Sequence, residues 1–188
     1  MRITGGVWRS RRLRGPSRTA RLRPTPDSMR ERAFAVLGDR VPGARVLDLF
    51  AGTGAVGLEA LSRGAQGVVF VDRHRTATAL VRSNLEALSV DPDLARVIQR
   101  SALDAVDALA HTGRTFDLVW ADPPFESWTD GLAALVAVVD TGLASPDVTL
   151  CLECPVGADL AAVRERFEVE RDLTGGASRV LLLRPRSK

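Results

Sequence analysis

Residues 45–57 read R-V-L-D-L-F-A-G-T-G-A-V-G, and this stretch decides the fold. Val46, Leu47, Leu49 and Phe50 form a short, nearly continuous apolar run, the pattern of a strand buried on both faces of a parallel sheet. Asp48 alone interrupts it. Ala51-Gly52-Thr53-Gly54 breaks the strand, and a helix-like segment from Ala55 to Arg63 follows at once. Strand, glycine turn and helix start together offer backbone N–H groups and a surface open to close approach, which suits a nucleotide-like ligand. Gly52, Gly54 and Gly57 also satisfy G-x-G-x-x-G, and Asp72 follows about 20 residues on, as in a dinucleotide-binding unit. Two features point to another ligand. A dinucleotide fold has no need of a carboxylate at Asp48, and it has none for the later tetrad Asp122-Pro123-Pro124-Phe125.

Outward from this stretch, strand-like and helix-like segments alternate. Gly67 to Val71 is a second strand ending in Asp72, and Arg75 to Leu88 an amphipathic helix with Ala79, Leu80, Leu85 and Leu88 apolar. Strands at Arg96 to Gln99, Phe116 to Ala121 and Val148 to Glu153 alternate with helices at Leu103 to Leu109, Leu132 to Asp140 and Leu160 to Arg166. Phe167 to Leu173 and Arg179 to Arg184 close the sheet as an antiparallel hairpin across Gly175-Gly176. The order predicts an α/β, Rossmann-like fold with a doubly wound, mostly parallel sheet and right-handed crossovers.

Upstream, Thr25 is a good N-cap, Pro26 fits the first helical position and Asp27 favours the positive end of the dipole. That helix runs to about Leu37, with Met29, Ala33, Phe34 and Leu37 as its apolar face; Thr25 and Arg30 either reach the ligand or simply cap and pack it. Before it, residues 1–23 read as a small basic β extension, a short hairpin or bulged ribbon in which Arg2 to Trp8 and Arg11 to Leu13 flank Arg9-Ser10. We divide the chain into this extension, 1–23, and one catalytic domain, 24–188.

With 188 residues, 45% of them apolar, the chain can bury one real core. No apolar run approaches a membrane span and no leader opens the chain, so a cytoplasmic protein with no membrane partner is expected, and a monomer. Cys151 and Cys154 read as reduced, partly buried thiols. With only two histidines in the chain, no metal site is expected. Net charge is +3, unevenly spread: residues 1–40 hold eleven arginines against three acids, net +8, and the remainder is net −5. A basic arm on an acidic body suggests a polyanionic partner. Arg9, Arg11, Arg12, Arg14, Arg18, Arg21 and Arg23 are candidate RNA phosphate contacts, and Trp8 a stacking surface. The competing reading is a tail whose charge only aids solubility.

In a doubly wound sheet, ligands bind beyond the carboxyl ends of the strands, near the switch in strand order. The glycine turn, Asp72 and Asp122 all end strands and so converge on one crevice. Asp72 can accept both hydroxyls of a ribose. Asp48 either meets a ligand ammonium or fixes the turn by accepting backbone N–H bonds, and the two are compatible. In Asp122-Pro123-Pro124-Phe125 the prolines stiffen the chain and leave carbonyls as acceptors. A carboxylate beside such a carbonyl clamps an exocyclic –NH2, and Phe125 can stack on the ring that carries it.

Asp48-x-Phe50-x-Gly52-x-Gly54, Asp72 and Asp122-Pro123-Pro124-Phe125 together resemble class I S-adenosylmethionine-dependent methyltransferases that act on exocyclic amines. More narrowly, D-L-F-A-G-T-G-A-V-G-L-E-A-L-S-R-G-A from Asp48, the upstream R-P-T-P-D-S-M-R-E-R and the length resemble the RsmD family of 16S rRNA guanine-N2 methyltransferases, over about residues 1–184. The resemblance implies S-adenosyl-L-methionine as cofactor and 16S rRNA of an assembling small ribosomal subunit as partner. It also implies cofactor contacts from Asp48, Phe50, Ala51, Gly52, Thr53, Gly54, Asp72, Arg73, Ser101 and Ala102, with catalysis at Asp122, Pro123, Pro124 and Phe125. Where many class I enzymes carry an acid after the third strand, this chain has Ser101-Ala102, whose hydroxyl or backbone would take its place at the adenine. The rival readings are a DNA adenine or other RNA-base amino-methyltransferase, a nicotinamide-dependent oxidoreductase and a non-catalytic RNA-binding protein.

Overall fold

The computed structural model describes residues 1–15 and 27–186. Among these residues, seven strands form one sheet: β1 (Arg45–Asp48), β2 (Gly67–Asp72), β3 (Ala95–Gln99), β4 (Phe116–Ala121), β5 (Ala144–Pro155), β6 (Phe167–Gly175) and β7 (Ser178–Pro185). Six α-helices join them: α1 (Asp27–Leu37), α2 (Ala55–Ser62), α3 (Arg75–Ala87), α4 (Ala102–Ala110), α5 (Trp128–Asp140) and α6 (Ala161–Arg166). The spatial order is β3-β2-β1-β4-β5-β7-β6. The first five strands are parallel, and β7 runs antiparallel to both its neighbours, β5 and β6. The order reverses between β1 and β4, so the crevice forms there.

Alternation along the strands divides the core in two. Val46, Phe70, Leu118 and Trp120 face α1, α2 and α3, whereas Leu47, Val69, Val71 and Val119 face α4, α5 and α6. Burial on both sides explains why β1 and β2 read as nearly continuous apolar runs. Gly57 is required on the first turn of α2, because a Cβ there would collide with the Phe70 ring and Val68 beneath it.

Several expected boundaries shift. β1 ends at Asp48, so Leu49 and Phe50 belong to the turn, although the Leu49 N–H still reaches the Trp120 carbonyl at 2.9 Å. The helix expected from Leu132 starts at Trp128, because a 3-10 turn at Phe125–Ser127 winds directly into it. The fifth strand extends to Ala144–Pro155, with a register shift against β4 that absorbs Pro146 and Asp147. The buried face of α3 is Ala77, Thr78, Val81 and Asn84; Ala79 is exposed and Leu80 and Leu85 are half-buried. Its polar members turn inward because they find hydrogen-bond partners there.

The basic extension forms a short antiparallel ribbon: Arg2 pairs with Arg12, flanked by the Ile3 N–H to the Arg11 carbonyl at 3.0 Å and the Leu13 N–H to the Met1 carbonyl at 3.3 Å. The ladder stops because Gly5 to Trp8 turns onto the end of α2. The Val7 N–H donates to the Ser62 carbonyl at 2.8 Å, the Trp8 N–H to Ser62 Oγ at 2.9 Å, and a Cβ on Gly6 would overlap the Ser62 carbonyl. Ile3 and Leu13 are buried in the same core as α1 and α2. Cys151 and Cys154 are free and buried, and burial pushes the Cys154 thiol up to about 11, out of the reactive range.

Candidate active site

Strand register brings the candidate groups to one edge. Asp48 pairs with Phe70 of β2 and with Trp120 of β4, so Asp72 and Asp122 each lie two residues beyond a neighbour of Asp48. Asp72 pairs in turn with Gln99, so Ser101 lies two residues beyond the partner of Asp72. The ends of four adjacent strands thus line one rim.

The glycine turn is held from below. The Asp72 carboxylate accepts the Gly52 N–H at 2.9 Å with one oxygen and the His74 N–H at 2.8 Å with the other. The Ala51 N–H reaches the Val71 carbonyl at 2.9 Å and the Gly54 N–H the Ala51 carbonyl at 2.7 Å. Gly52 (φ 54°) and Gly54 (φ 80°) occupy the left-handed region, which explains glycine at both positions.

Asp48 is buried and accepts the Gly57 N–H at 3.1 Å, so it ties β1 to the first turn of α2. Of the two roles expected for it, this is the bond that the fold itself uses. Burial pushes its carboxyl up to about 7; the Gly57 bond works against that rise and the neighbouring Asp72 charge adds to it. Two carboxyl groups sharing one rim favour a ligand with an ammonium and hydroxyl donors.

The remaining candidates divide. Asp122 is half-buried, Pro123 is buried against α5, where a Cβ on Gly131 would press on its ring, and Phe125 is exposed. The Pro124 carbonyl accepts the Ser127 N–H at 2.9 Å, which locks the tetrad to the start of α5. Phe50 packs partly against the α4–α5 side of the core. Arg73 is exposed, its Nε 3.1 Å from His74 Nε2. The Ser101 hydroxyl donates to Asp104 Oδ2 at 2.6 Å and accepts the Asp104 N–H at 3.2 Å, capping α4. Its proton is therefore committed to Asp104, an acid beside the third-strand rim that the sequence signalled as S-x-x-D.

Trp8 is half-buried against the first core, while Arg9, Arg11, Arg12 and Arg14 are exposed. Arg11 reaches the Ala87 carbonyl at 3.5 Å and Arg14 the Ser83 hydroxyl. Arg18, Arg21, Arg23, Thr25 and Pro26 lie outside the described residues. Arg30 does not reach the crevice. Its guanidinium is buried, bonded to Glu59 at 3.3 Å, to Asp27 at 3.1 Å and to the Arg2 carbonyl. Glu59 also holds the Thr4 N–H and hydroxyl at 2.8 and 2.7 Å and Arg63 at 2.8 Å. Glu59 and Asn84 are the connectors that sequence reading missed, and their only signal is a polar residue at a core-facing helical position.

The family model described as "Conserved hypothetical protein 95" matches residues 1–184. Ribosomal RNA small subunit methyltransferase D of Escherichia coli (strain K12) is 34% identical over 178 residues, 94% of this chain and 85% of that protein. YlbH of Bacillus subtilis (strain 168) is 38% identical over 140 residues, 74% of each. Among solved structures, yhhF from Escherichia coli superposes with a TM-score of 0.84 at 31% identity, covering 100% of this chain and 99% of that one. The hypothetical protein TTHA0928 of Thermus thermophilus gives 0.80 at 29%, covering 97% and 98%. A match over nearly the whole length places the chain in the conserved hypothetical protein 95 family, the RsmD methyltransferases.

Proposed function

We propose that the chain transfers a methyl group from S-adenosyl-L-methionine to the exocyclic N2 of a guanine in 16S rRNA. The observation that carries this is the convergence of the glycine turn, Asp72 and the Asp122 tetrad on one rim at the β1–β4 switch. The residues at the rim fit the cofactor: Asp72 suits a ribose diol, Asp48 an ammonium, and Leu103, 51% exposed beside Ser101, an apolar wall for adenine. When bound, the cofactor supplies an electrophilic methyl carbon.

Asp122 and the Pro123 carbonyl would accept the two N–H bonds of the guanine amine. That amine is conjugated into its ring, and two acceptors localise its lone pair and aim it for in-line attack. Orientation and electrostatics then supply the rate effect without a covalent intermediate. The amine becomes acidic as it is alkylated, so Asp122 or water takes the surplus proton. Phe125 stacks on the base, which must leave its neighbours to reach the rim. The deciding experiment is incubation with labelled cofactor and immature small subunits, followed by nucleoside analysis. N2-methylguanosine supports the reading; N6-methyladenine formed only on DNA overturns it.

The exposed Arg9 and Arg12 would hold flanking RNA. Deleting the arm would also uncover Ile3 and Leu13, so charge removal is the cleaner test. Replacing both by Gln should weaken RNA binding and lower the salt slope by about 2, with cofactor affinity unchanged. An unaltered slope in a titration would remove the arm from the RNA interface.

Asp48 makes cofactor binding pH-dependent. Its folded carboxyl titrates near 7, above its ordinary 3.8, so the free protein holds a proton there between those values. A ligand ammonium favours the carboxylate, so binding must release that proton. S-adenosylhomocysteine affinity should therefore rise with pH up to about 7 and then level off. Asp48→Asn should bind more weakly and without that rise; calorimetry across the range checks both.

A further inference from the structure

One buried side chain joins the basic arm to the glycine turn. Asn84 lies near the end of α3 and is 1% exposed. Its Oδ1 accepts the Arg14 N–H at 2.8 Å, while its Nδ2 donates to the Arg14 carbonyl at 3.1 Å and to the Thr53 carbonyl at 2.9 Å. An amide has two donors and two acceptor sites, and three of these four are used on two segments far apart in sequence. The pair of bonds to Arg14 copies a strand ladder and fixes the direction of the arm. The bond to Thr53 fixes the peptide between Gly52 and Gly54, where two left-handed glycines leave the backbone little intrinsic preference. A second contact runs alongside, from the Thr53 hydroxyl to the Met1 sulfur at 3.6 Å.

We propose that Asn84 is a positioning residue that couples docking of the arm to the order of the cofactor loop. Displacing the Asn84 amide unpairs both segments at once, the Arg14 peptide and the Thr53 carbonyl, so a shift of either one that drags the amide costs the other. Cofactor in the loop tightens the arm, and an arm fixed on RNA tightens the loop by the same factor, because such coupling is reciprocal. This rests on the reading that the glycine turn seats the cofactor; its cofactor limb can be tested without RNA.

The test is hydrogen exchange of residues 3–14 in the full-length protein, with and without S-adenosylhomocysteine. In the unmodified protein the ligand should slow exchange by about fivefold or more. Asn84→Ala should still bind the ligand, more weakly, and lose that protection. Arg14→Pro, which removes the N–H that Asn84 accepts along with the side-chain bond to Ser83, should lose most of it and serves if Asn84→Ala does not fold. Ser62→Ala loosens the arm at its far end, away from the loop, and should exchange faster while keeping the ligand effect. Protection that persists in both the Asn84 and Arg14 variants, or that is missing in the unmodified protein with ligand bound, overturns the coupling. Failure to bind the ligand by calorimetry removes the cofactor reading itself, and the coupling with it.

Discussion

Asp122→Ala is expected to cut methyl transfer by about a thousandfold while leaving S-adenosylhomocysteine affinity within about twofold. The two effects separate because Asp122 ends β4, whereas the groups that hold the glycine turn come from β1, β2 and α3. The bonds from Asp72, Asp48 and Asn84 all originate outside the tetrad, so they survive its loss. The amine would lose the acceptor that localises its lone pair, and a misaligned nucleophile is costly even at short range. Single-turnover transfer to small subunits and ligand calorimetry check the two halves. An active variant removes the tetrad from the mechanism; a variant with lost cofactor affinity gives Asp122 a structural role in the turn.

Glu59→Ala is expected to destabilise the protein by about 3–5 kcal/mol, the range for removing one partner of a buried ion pair. Glu59 is 0% exposed and lies against Arg30, itself 1% exposed, with Arg63 and Thr4 on its other bonds. Without the carboxylate, the buried guanidinium keeps only Asp27 and the Arg2 carbonyl, both on Nη2, while Nε joins Nη1 in having no partner among the described residues. At this chain length the loss corresponds to a fall of roughly 10 °C in Tm. Glu59→Leu combined with Arg30→Met should recover much of it, because the pair's desolvation cost disappears along with its attraction. Thermal denaturation of the two variants beside the unmodified protein decides the matter; a Glu59→Ala melting point within about 2 °C of the original would mean water reaches the cluster.

The same cluster explains why α1 and the arm sit where they do. Glu59 draws Arg30 inward and holds Thr4, and Arg63 stacks over Phe34 at 5.4 Å, which in turn lies on Trp120 of β4. Charge and apolar packing therefore converge beneath the rim from one face of the sheet.

Alternation of apolar runs and glycine breaks, read along the chain, determined the α/β class, the strands and most helices. Local chemistry is enough for this: strand burial fixes composition, and the left-handed turn demands glycine at Gly52 and Gly54. The three strand-end groups were legible for the same reason, because each sits next to its own strand in sequence. Tertiary structure alone decided how the pieces are tied. Asn84 and Glu59 look like interruptions of helical faces, and only the approach of Arg14, Thr53, Arg30 and Thr4 gives them partners. The shortness of the arm's ribbon was likewise set by the end of α2, and the raised Asp48 carboxyl by burial. A polar residue's role follows from what the fold brings to it, and that distance is not written in its neighbours along the chain.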